Sequence, residues 1–222
     1  MIEAVIFDMD GVLIDSEPFW QESEMDAFAR VRLKLTREMC AQTMGLRVDE
    51  VVDYWRRRHT WEGVPSGELE EAIIGGVAER ILSKGEAKEG VRSALDFFRS
   101  RGVKVALASS SAYRLIRAVT ERFRLSDKFD CVYSAEDEEY GKPHPGVYLT
   151  AARMLGVSPA ACLAVEDSFN GVLAAKAARM KCVAVPEEGA RRDPRFSIAD
   201  VTLGSLEEID EEVWRRLTAY DA

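Results

Sequence analysis

Two carboxylates, Asp8 and Asp10, directly follow the short apolar run Ala4–Phe7. A run of this length indicates a buried strand, and open parallel sheets bind their ligands beyond the carboxyl ends of their strands. At such a place the pair could supply a nucleophile, a second acid and the anionic half of a metal site, which is the chemistry of phosphoryl transfer. Taken alone, the pair is better explained as a solvated turn, so other segments must decide.

A second segment places three serines between the apolar run 103–108 and a helical pattern. The hydroxyls of Ser109 and Ser110, together with backbone N–H groups at the start of a helix, could bind a phosphate group. The alternative is an ordinary helix N-cap, which this segment alone would favour.

The third segment is Gly-Lys-Pro-His-Pro at residues 141–145. Lys142 stands between a flexible glycine and a rigid proline ahead of a helix, a setting that suits one fixed ammonium aimed at an anion. The alternative is an exposed lysine in a turn. His144 is followed at once by Pro145, which restricts its backbone, and we interpret it as a turn residue rather than an acid or base.

In the fourth segment, Glu166 and Asp167 end the apolar run 162–165. Two adjacent carboxylates at the end of a buried strand are costly unless they meet a cation. Mg²⁺ prefers oxygen ligands and is usually held by one or two carboxylates, water and a substrate phosphate. We therefore expect Asp167 to share Mg²⁺ with Asp8. The alternative is that Asp167 and Ser168 cap the following helix.

Alternating strands and helices from Gly90 onward must position these segments. This pattern predicts a Rossmann-like α/β fold, a parallel sheet with helices on both faces. The predicted strands after the first are 103–108, 131–134, 162–165, 182–185 and 200–203. The predicted helices are 91–101, 112–123, 145–155, 169–179 and 206–219, with a short one opened by Ser158-Pro159.

Residues 16–84 have a different character, with helical patterning throughout and no convincing strand. The helical segments there are 20–31, 36–42, 49–58 and 67–82. An all-helical block inserted after the first strand predicts a separate cap domain, bounded by connections rich in turn residues. The α/β core would then consist of residues 1–15 and 85–222.

Composition narrows the class of protein. With 47% hydrophobic and 31% charged residues, the chain of 222 residues is typical of a soluble globular protein. Its net charge of −9 argues against the basic face that nucleic-acid binding requires. The four cysteines have no metal or redox spacing, there is no signal-peptide pattern, and no apolar run reaches the roughly 20 residues that span a bilayer. We expect a cytoplasmic monomer that binds neither nucleic acid nor membranes.

Taken together and in this order, the four segments resemble the haloacid-dehalogenase-like hydrolase superfamily, in the subgroup with an inserted helical cap. The resemblance covers essentially the whole chain. It rests on DxDGVLxDSE at 8–17, the strand-terminal Ser109, GKPxPxxY at 141–148 and EDSFNG at 166–171. Within the subgroup, the cap segment 43–55 and the segment 193–196 are similar to those of sugar-phosphate phosphatases, especially bacterial hexitol-phosphate and 2-deoxyglucose-6-phosphate phosphatases.

The resemblance implies a covalent mechanism. Asp8 would attack phosphorus to form an aspartyl-phosphate, which splits one difficult step into two easier ones. Asp10 would first protonate the leaving alkoxide and then activate the water that hydrolyses the intermediate. Lys142 and Ser109 would balance the negative charge on the phosphate oxygens.

The resemblance also implies Mg²⁺ as cofactor. Its ligands would be the carboxylates of Asp8 and Asp167 and the backbone carbonyl of Asp10. Glu166 would either reach the metal directly or orient a bound water.

Substrate specificity is expected in the cap, whose closure would exclude bulk water. The candidates there are Glu17, Trp20 and Arg47, with Thr43 and Gly45 beside them. Trp20 could stack on the apolar face of a sugar, although a tryptophan on a helix more often belongs to the core. Arg47 could bind a second anion or hydroxyls, and a surface arginine explains it equally well.

The expected reaction is hydrolysis of small sugar phosphates, namely hexose or hexitol phosphate monoesters. The acid at Asp10 excludes the dehalogenase branch, which has no alkoxide to protonate. Sugar phosphomutases of the subgroup carry a histidine where Trp20 stands, and an indole cannot shuttle that proton. Three alternatives stay open: a phosphoglycolate-type phosphatase, a β-phosphoglucomutase-like mutase despite Trp20, and a non-catalytic module that senses phosphate or binds proteins.

Overall fold

A parallel sheet forms the centre of the computed structural model, which describes residues 1–219. Its strands are β1 (Ala4–Phe7), β2 (Lys104–Ser109), β3 (Cys131–Ser134), β4 (Cys162–Glu166), β5 (Lys181–Ala184) and β6 (Val201–Thr202). They lie in the order β3-β2-β1-β4-β5-β6, and every pairing between neighbours is parallel. The predicted parallel α/β architecture is therefore confirmed, with β1 between β2 and β4.

Helices cover both faces of this sheet. The helices of the described chain are α1 (Glu17–Ala29), α2 (Arg37–Cys40), α3 (Val48–Arg56), α4 (Ser66–Lys84), α5 (Val91–Arg99), α6 (Tyr113–Arg122), α7 (Gly146–Leu155), α8 (Phe169–Ala177) and α9 (Glu211–Thr218). Those that pack on the strands are α5, α6, α7 and α8. Successive side chains of a strand point to opposite faces of the sheet. Accordingly, Val5 and Phe7 join one buried apolar cluster, whereas Ala4 and Ile6 join another with residues of α7 and α8.

The helices α1 to α4 fall within the predicted insertion, residues 16–84. Both α1 and α3 pack against the long α4, which in turn contacts α6. Phe28, Trp55 and Ile73 from these helices belong to the same apolar cluster as Val5 and Phe7 of β1. The insertion thus shares a continuous core with one face of the sheet. Its treatment as a separate cap domain stays a prediction.

Two elements near the end of the chain differ from their predicted lengths. The helix predicted over 206–219 begins at Glu211, after a separate 3₁₀ turn at Leu206–Glu208. The Asp210 side chain accepts hydrogen bonds from the backbone N–H groups of Glu212 and Val213 and caps the helix there. The strand predicted over 200–203 is shortened to two residues. Among residues 1–219, no helix combines the length and apolarity needed to cross a membrane.

Candidate active site

The strand order brings three of the four candidate segments to one edge of the sheet. Phe7, the last residue of β1, pairs with Leu107 of β2 and Val165 of β4. Asp8 follows directly, and its backbone N–H donates to the carbonyl of Val165 across 2.9 Å. Ser109 and Glu166 end the two neighbouring strands, so both residues lie at the same edge of the sheet as Asp8. The predicted convergence at the carboxyl edge is present.

Lys142 completes this cluster from the loop between β3 and α7. Its ammonium donates to Asp8 Oδ1 at 2.8 Å and to Glu166 Oε1 at 2.6 Å, and it contacts the Tyr148 hydroxyl at 3.3 Å. The lysine is only 4% exposed. It is thus a fixed cation facing the nucleophile candidate, and the alternative of an exposed turn lysine is wrong.

Burial and charge act in opposite directions on this pair. Burial alone lowers the pKa of Lys142, but the carboxylates of Asp8 and Glu166 outweigh it and raise that pKa above its ordinary value. Burial raises the pKa of Asp8 to about 7, although the neighbouring ammonium opposes this shift. Lys142 therefore stays charged at neutral pH, and its ammonium favours the ionised form of Asp8 against the effect of burial.

Replacing Lys142 with Met should destabilise the protein as well as the site, because two buried carboxylates lose their cation. We expect the free energy of unfolding to fall by about 3 kcal/mol or more, the cost typical of a broken buried ion pair. Urea denaturation without added metal measures this. Lys84→Met is the matched control, since its pair with Glu22 lies at the surface and should contribute less than about 1 kcal/mol. Equal losses in the two variants would contradict the structural role of Lys142.

Asp10 occupies a turn lined with hydrogen-bond donors. Its Oδ1 accepts from Ser16 Oγ at 2.5 Å and from the Trp20 indole N–H at 3.1 Å. Its Oδ2 accepts from Ser111 Oγ at 2.6 Å and more weakly from Ser109 Oγ at 3.4 Å. These contacts fix the carboxyl group beside Asp8 instead of leaving it free in a solvated turn.

Ser16 and Ser111 both donate hydrogen bonds to the Asp10 carboxyl group, although the sequence does not single them out as site residues. Ser16 belongs to the first motif, and Ser111 ends the serine run, but neither position indicates which carboxylate it contacts. The serines do not cap α6, because its N-cap residue is Ala112. Ser109 instead accepts from the Ser111 backbone N–H, and the buried Ser110 hydroxyl has no partner. This arrangement favours the predicted anion-binding role over the capping alternative.

Carboxylate oxygens of Asp8, Glu166 and Asp167 lie within 4.8 Å of one another, a spacing that suits a metal ion. Gly11 lies directly against Asp167, and its φ is +72°. A Cβ added at Gly11 would lie 1.8 Å from Asp167 Oδ2, so only glycine leaves room for that carboxylate. Lys142 takes only one oxygen of Asp8, so Asp8 and Asp167 fit as ligands of a divalent cation.

Glu166 already has other partners. Besides Lys142, its Oε1 accepts from Tyr148 at 2.5 Å, and its Oε2 accepts from Ser168 Oγ at 3.3 Å. The carboxylate also fills the space beside Gly171, where an added Cβ would approach within 1.9 Å. These contacts favour positioning of Lys142 over direct metal ligation, which was one of the two expectations for Glu166. Ser168 in addition caps α8, as the alternative for this segment expected.

The predicted cap residues have different positions. Glu17 and Trp20 on α1 line the cavity above Asp8, whereas Arg47 lies outside it. The Arg47 guanidinium binds the Asp49 carboxylate and donates to the backbone carbonyls of Ala135 and Glu138. The structure therefore favours a contact between cap and core for Arg47 over the predicted substrate contact. Burial raises the pKa of Glu17 to about 7.

A parallel sheet with a nucleophile candidate, a fixed lysine and an acidic cluster at its carboxyl edge defines a hydrolase-type centre under helices. The chain belongs to the haloacid dehalogenase-like hydrolase family, whose model matches residues 2–179. The predicted resemblance to this family is thereby confirmed, and the protein is an enzyme of the hydrolase class.

Individual relatives match nearly the whole chain. Hexitol phosphatase B of Escherichia coli (strain K12) is 44% identical over 209 residues, covering 94% of each chain. The phosphorylated carbohydrates phosphatase of Thermotoga maritima is 32% identical, covering 80% of this chain and 82% of its own. The crystal structure of CbbY from Rhodobacter sphaeroides in complex with phosphate superposes with a TM-score of 0.86 at 25% identity, covering 94% and 96%.

Proposed function

We propose that the protein is a Mg²⁺-dependent phosphatase that hydrolyses small sugar phosphates, of the hexose or hexitol phosphate class, through an aspartyl-phosphate intermediate. The observation that carries this proposal is the placement of Asp8. It is buried and in contact with the fixed Lys142 ammonium, and the oriented carboxyl group of Asp10 follows two positions later in the sequence. Its relatives named hexitol phosphatase and phosphorylated carbohydrates phosphatase support the substrate class.

The first chemical step transfers the phosphoryl group to Asp8. A carboxylate oxygen of Asp8 forms a bond to phosphorus as the bond to the ester oxygen breaks, and that oxygen leaves with a proton from Asp10. Lys142 and the Ser109 loop compensate the negative charge on the transferred group. The ion pair between Lys142 and Glu166 keeps the ammonium in place throughout.

The second step regenerates the enzyme. Asp10, now ionised, takes a proton from a water molecule, whose oxygen attacks phosphorus as the bond to Asp8 breaks. Inorganic phosphate leaves, and Asp10 is protonated again for the next ester. Ser16, Trp20 and Ser111 hold the Asp10 carboxyl group in both steps.

Mg²⁺ fits the acidic cluster, because Asp8 and Asp167 offer oxygen ligands at one edge of the sheet. When bound there, the ion neutralises negative charge and orients the phosphate. The backbone carbonyl of Asp10 is the further ligand expected from the family resemblance. The monomeric state and the cytoplasmic location stay predictions.

A screen of phosphorylated metabolites tests this function. With Mg²⁺ we expect phosphate release from hexose and hexitol phosphates and loss of that release with excess EDTA, because the acidic cluster then lacks its cation. Asp167→Asn should raise the Mg²⁺ concentration for half-maximal activity at least about tenfold. Asp96→Asn, at a surface pair with Lys128, is the matched control.

Two outcomes would contradict the proposal. Full activity in EDTA would remove the metal from the mechanism. Isomer exchange of a hexose phosphate in the presence of a bisphosphate activator, without free phosphate, would favour the mutase alternative instead.

A further inference from the structure

The part of the cavity that the cap forms is acidic and contains no cation. Its charged lining residues from the cap are Glu17 and Glu24, both on α1. Across residues 16–84, all of which the structure describes, no lysine or arginine lines the cavity. Trp20 lies between the two glutamates, so all three side chains fall on one face of α1.

The cations that the core contributes are already paired. Lys142 contacts Asp8 and Glu166. Arg195 donates to Asp193 at 2.8 and 2.5 Å and lies over the Phe169 ring. Among the described residues, therefore, the cavity offers no unpaired cation to a second anionic group of a substrate.

Glu24 has an unusual environment for a carboxyl group. It is only 6% exposed, and its Oε2 is buried without a hydrogen-bond partner. Burial raises its pKa to about 7, although contact with the Cys40 thiol opposes the shift. A buried carboxyl oxygen without a donor costs free energy. Such a group at a cavity wall is explained if a ligand supplies the donor.

We propose that Glu24 is a specificity-determining residue, which accepts a hydrogen bond from a hydroxyl at the end of the substrate remote from the phosphate. Together with Glu17 it selects monophosphate esters whose polyol part is uncharged. It rejects esters with a second anion at that end, such as bisphosphates and phosphocarboxylates. This inference rests on the proposed phosphatase function. It adds that the enzyme recognises the end of the substrate remote from the phosphate, and that negatively charged carboxylates do so.

The selection has a simple physical basis. A hydroxyl satisfies the buried oxygen of Glu24 at little desolvation cost. A carboxylate or phosphate in the same place would face Glu17 and Glu24 without a compensating cation, and like charges brought together in a desolvated site are costly. Specificity thus comes from a repulsive element as well as an attractive one.

Two variants separate these elements, assayed at about pH 8, above the raised pKa of Glu24. Glu24→Leu removes the acceptor and should lower kcat/KM for glucitol 6-phosphate about tenfold or more, while activity on methyl phosphate, too short to reach the cap, stays unchanged. Glu24→Gln keeps an acceptor but loses the charge. It should stay within about threefold of wild type on glucitol 6-phosphate and gain at least about fivefold on phosphoglycolate.

A merely structural role would give a different result. Because Glu24 is buried without a full set of partners, Glu24→Leu should leave Tm unchanged or raise it. A lower Tm with equal losses on both glucitol 6-phosphate and methyl phosphate would overturn the proposal, as would no change on either. Glu38→Gln, exposed on α2 and outside the cavity, is the control.

Failure of the proposed function has its own signature. If the wild-type protein releases phosphate from no ester, that function is wrong. Calorimetric titration with glucitol 6-phosphate and Mg²⁺ then still tests Glu24: about tenfold weaker binding to Glu24→Leu supports the inference, and equal binding or no binding by either protein overturns it.

Discussion

Replacing Asp8 with Asn is expected to lower kcat for hexitol phosphate hydrolysis by at least about 10⁴-fold, the scale seen when a covalent nucleophile is removed. The amide has no anionic oxygen to attack phosphorus, so no aspartyl-phosphate can form. The measurement is phosphate release from glucitol 6-phosphate with Mg²⁺. Acid-quenched wild-type protein should also gain the mass of one phosphoryl group during turnover, and the variant should not.

Asp15→Asn is the matched control for this experiment. Asp15 belongs to the same motif but is exposed, whereas Asp8 is buried against Lys142. We expect the control to retain near wild-type turnover. An Asp8→Asn protein that turns over within about tenfold of wild type would show that Asp8 is not the nucleophile. Without the nucleophile no covalent intermediate forms, and correct positioning of the substrate does not restore that route.

The fold was predictable because its determinants are local in sequence. Apolar runs for buried strands alternate with helix-periodic segments, and this pattern predicts parallel pairing with helices on both faces. The ends of elements were less predictable, because side-chain caps decide them. The start of α9 depends on the Asp210 carboxylate, which accepts from backbone N–H groups that the apolar pattern does not reveal.

The core of the candidate site was predictable from topology. Once Asp8, Ser109 and Glu166 are placed at the ends of parallel strands, the sheet brings them together whatever their distance in sequence. Lys142 comes from a loop, and its rigid proline neighbour together with the family resemblance predicts that it approaches an anion at this site. The structure shows that approach directly.

Orientation of individual side chains was not predictable. Glu22 and Glu24 both stand in the middle of α1, yet Glu22 pairs with Arg80 at the surface and Glu24 lines the cavity. Similarly, Arg47 follows a glycine-containing turn that suggested a ligand contact, but its guanidinium binds the Asp49 carboxylate and core carbonyls. The orientation of such a side chain depends on which residues of other helices and loops lie next to it in the folded protein.

Asp10→Asn should separate the two halves of the reaction. On glucitol 6-phosphate, whose alkoxide needs a proton to leave, we expect kcat to fall about 10³-fold, within the range for loss of a general acid. The leaving group of p-nitrophenyl phosphate needs no proton. With that ester the variant should release one nitrophenolate per enzyme in a rapid burst and then stall, because no base activates water for the second step.

The burst distinguishes Asp10 from Asp8 within one assay. Asp8→Asn should give neither a burst nor steady turnover, whereas Asp10→Asn should accumulate a phosphorylated protein that keeps its phosphoryl group. Equal losses on both esters without a burst would show that Asp10 supports the fold of the turn rather than proton transfer. The hydrogen bonds from Ser16, Trp20 and Ser111 place the carboxyl group for transfer, and the leaving-group dependence measures whether the proton moves there.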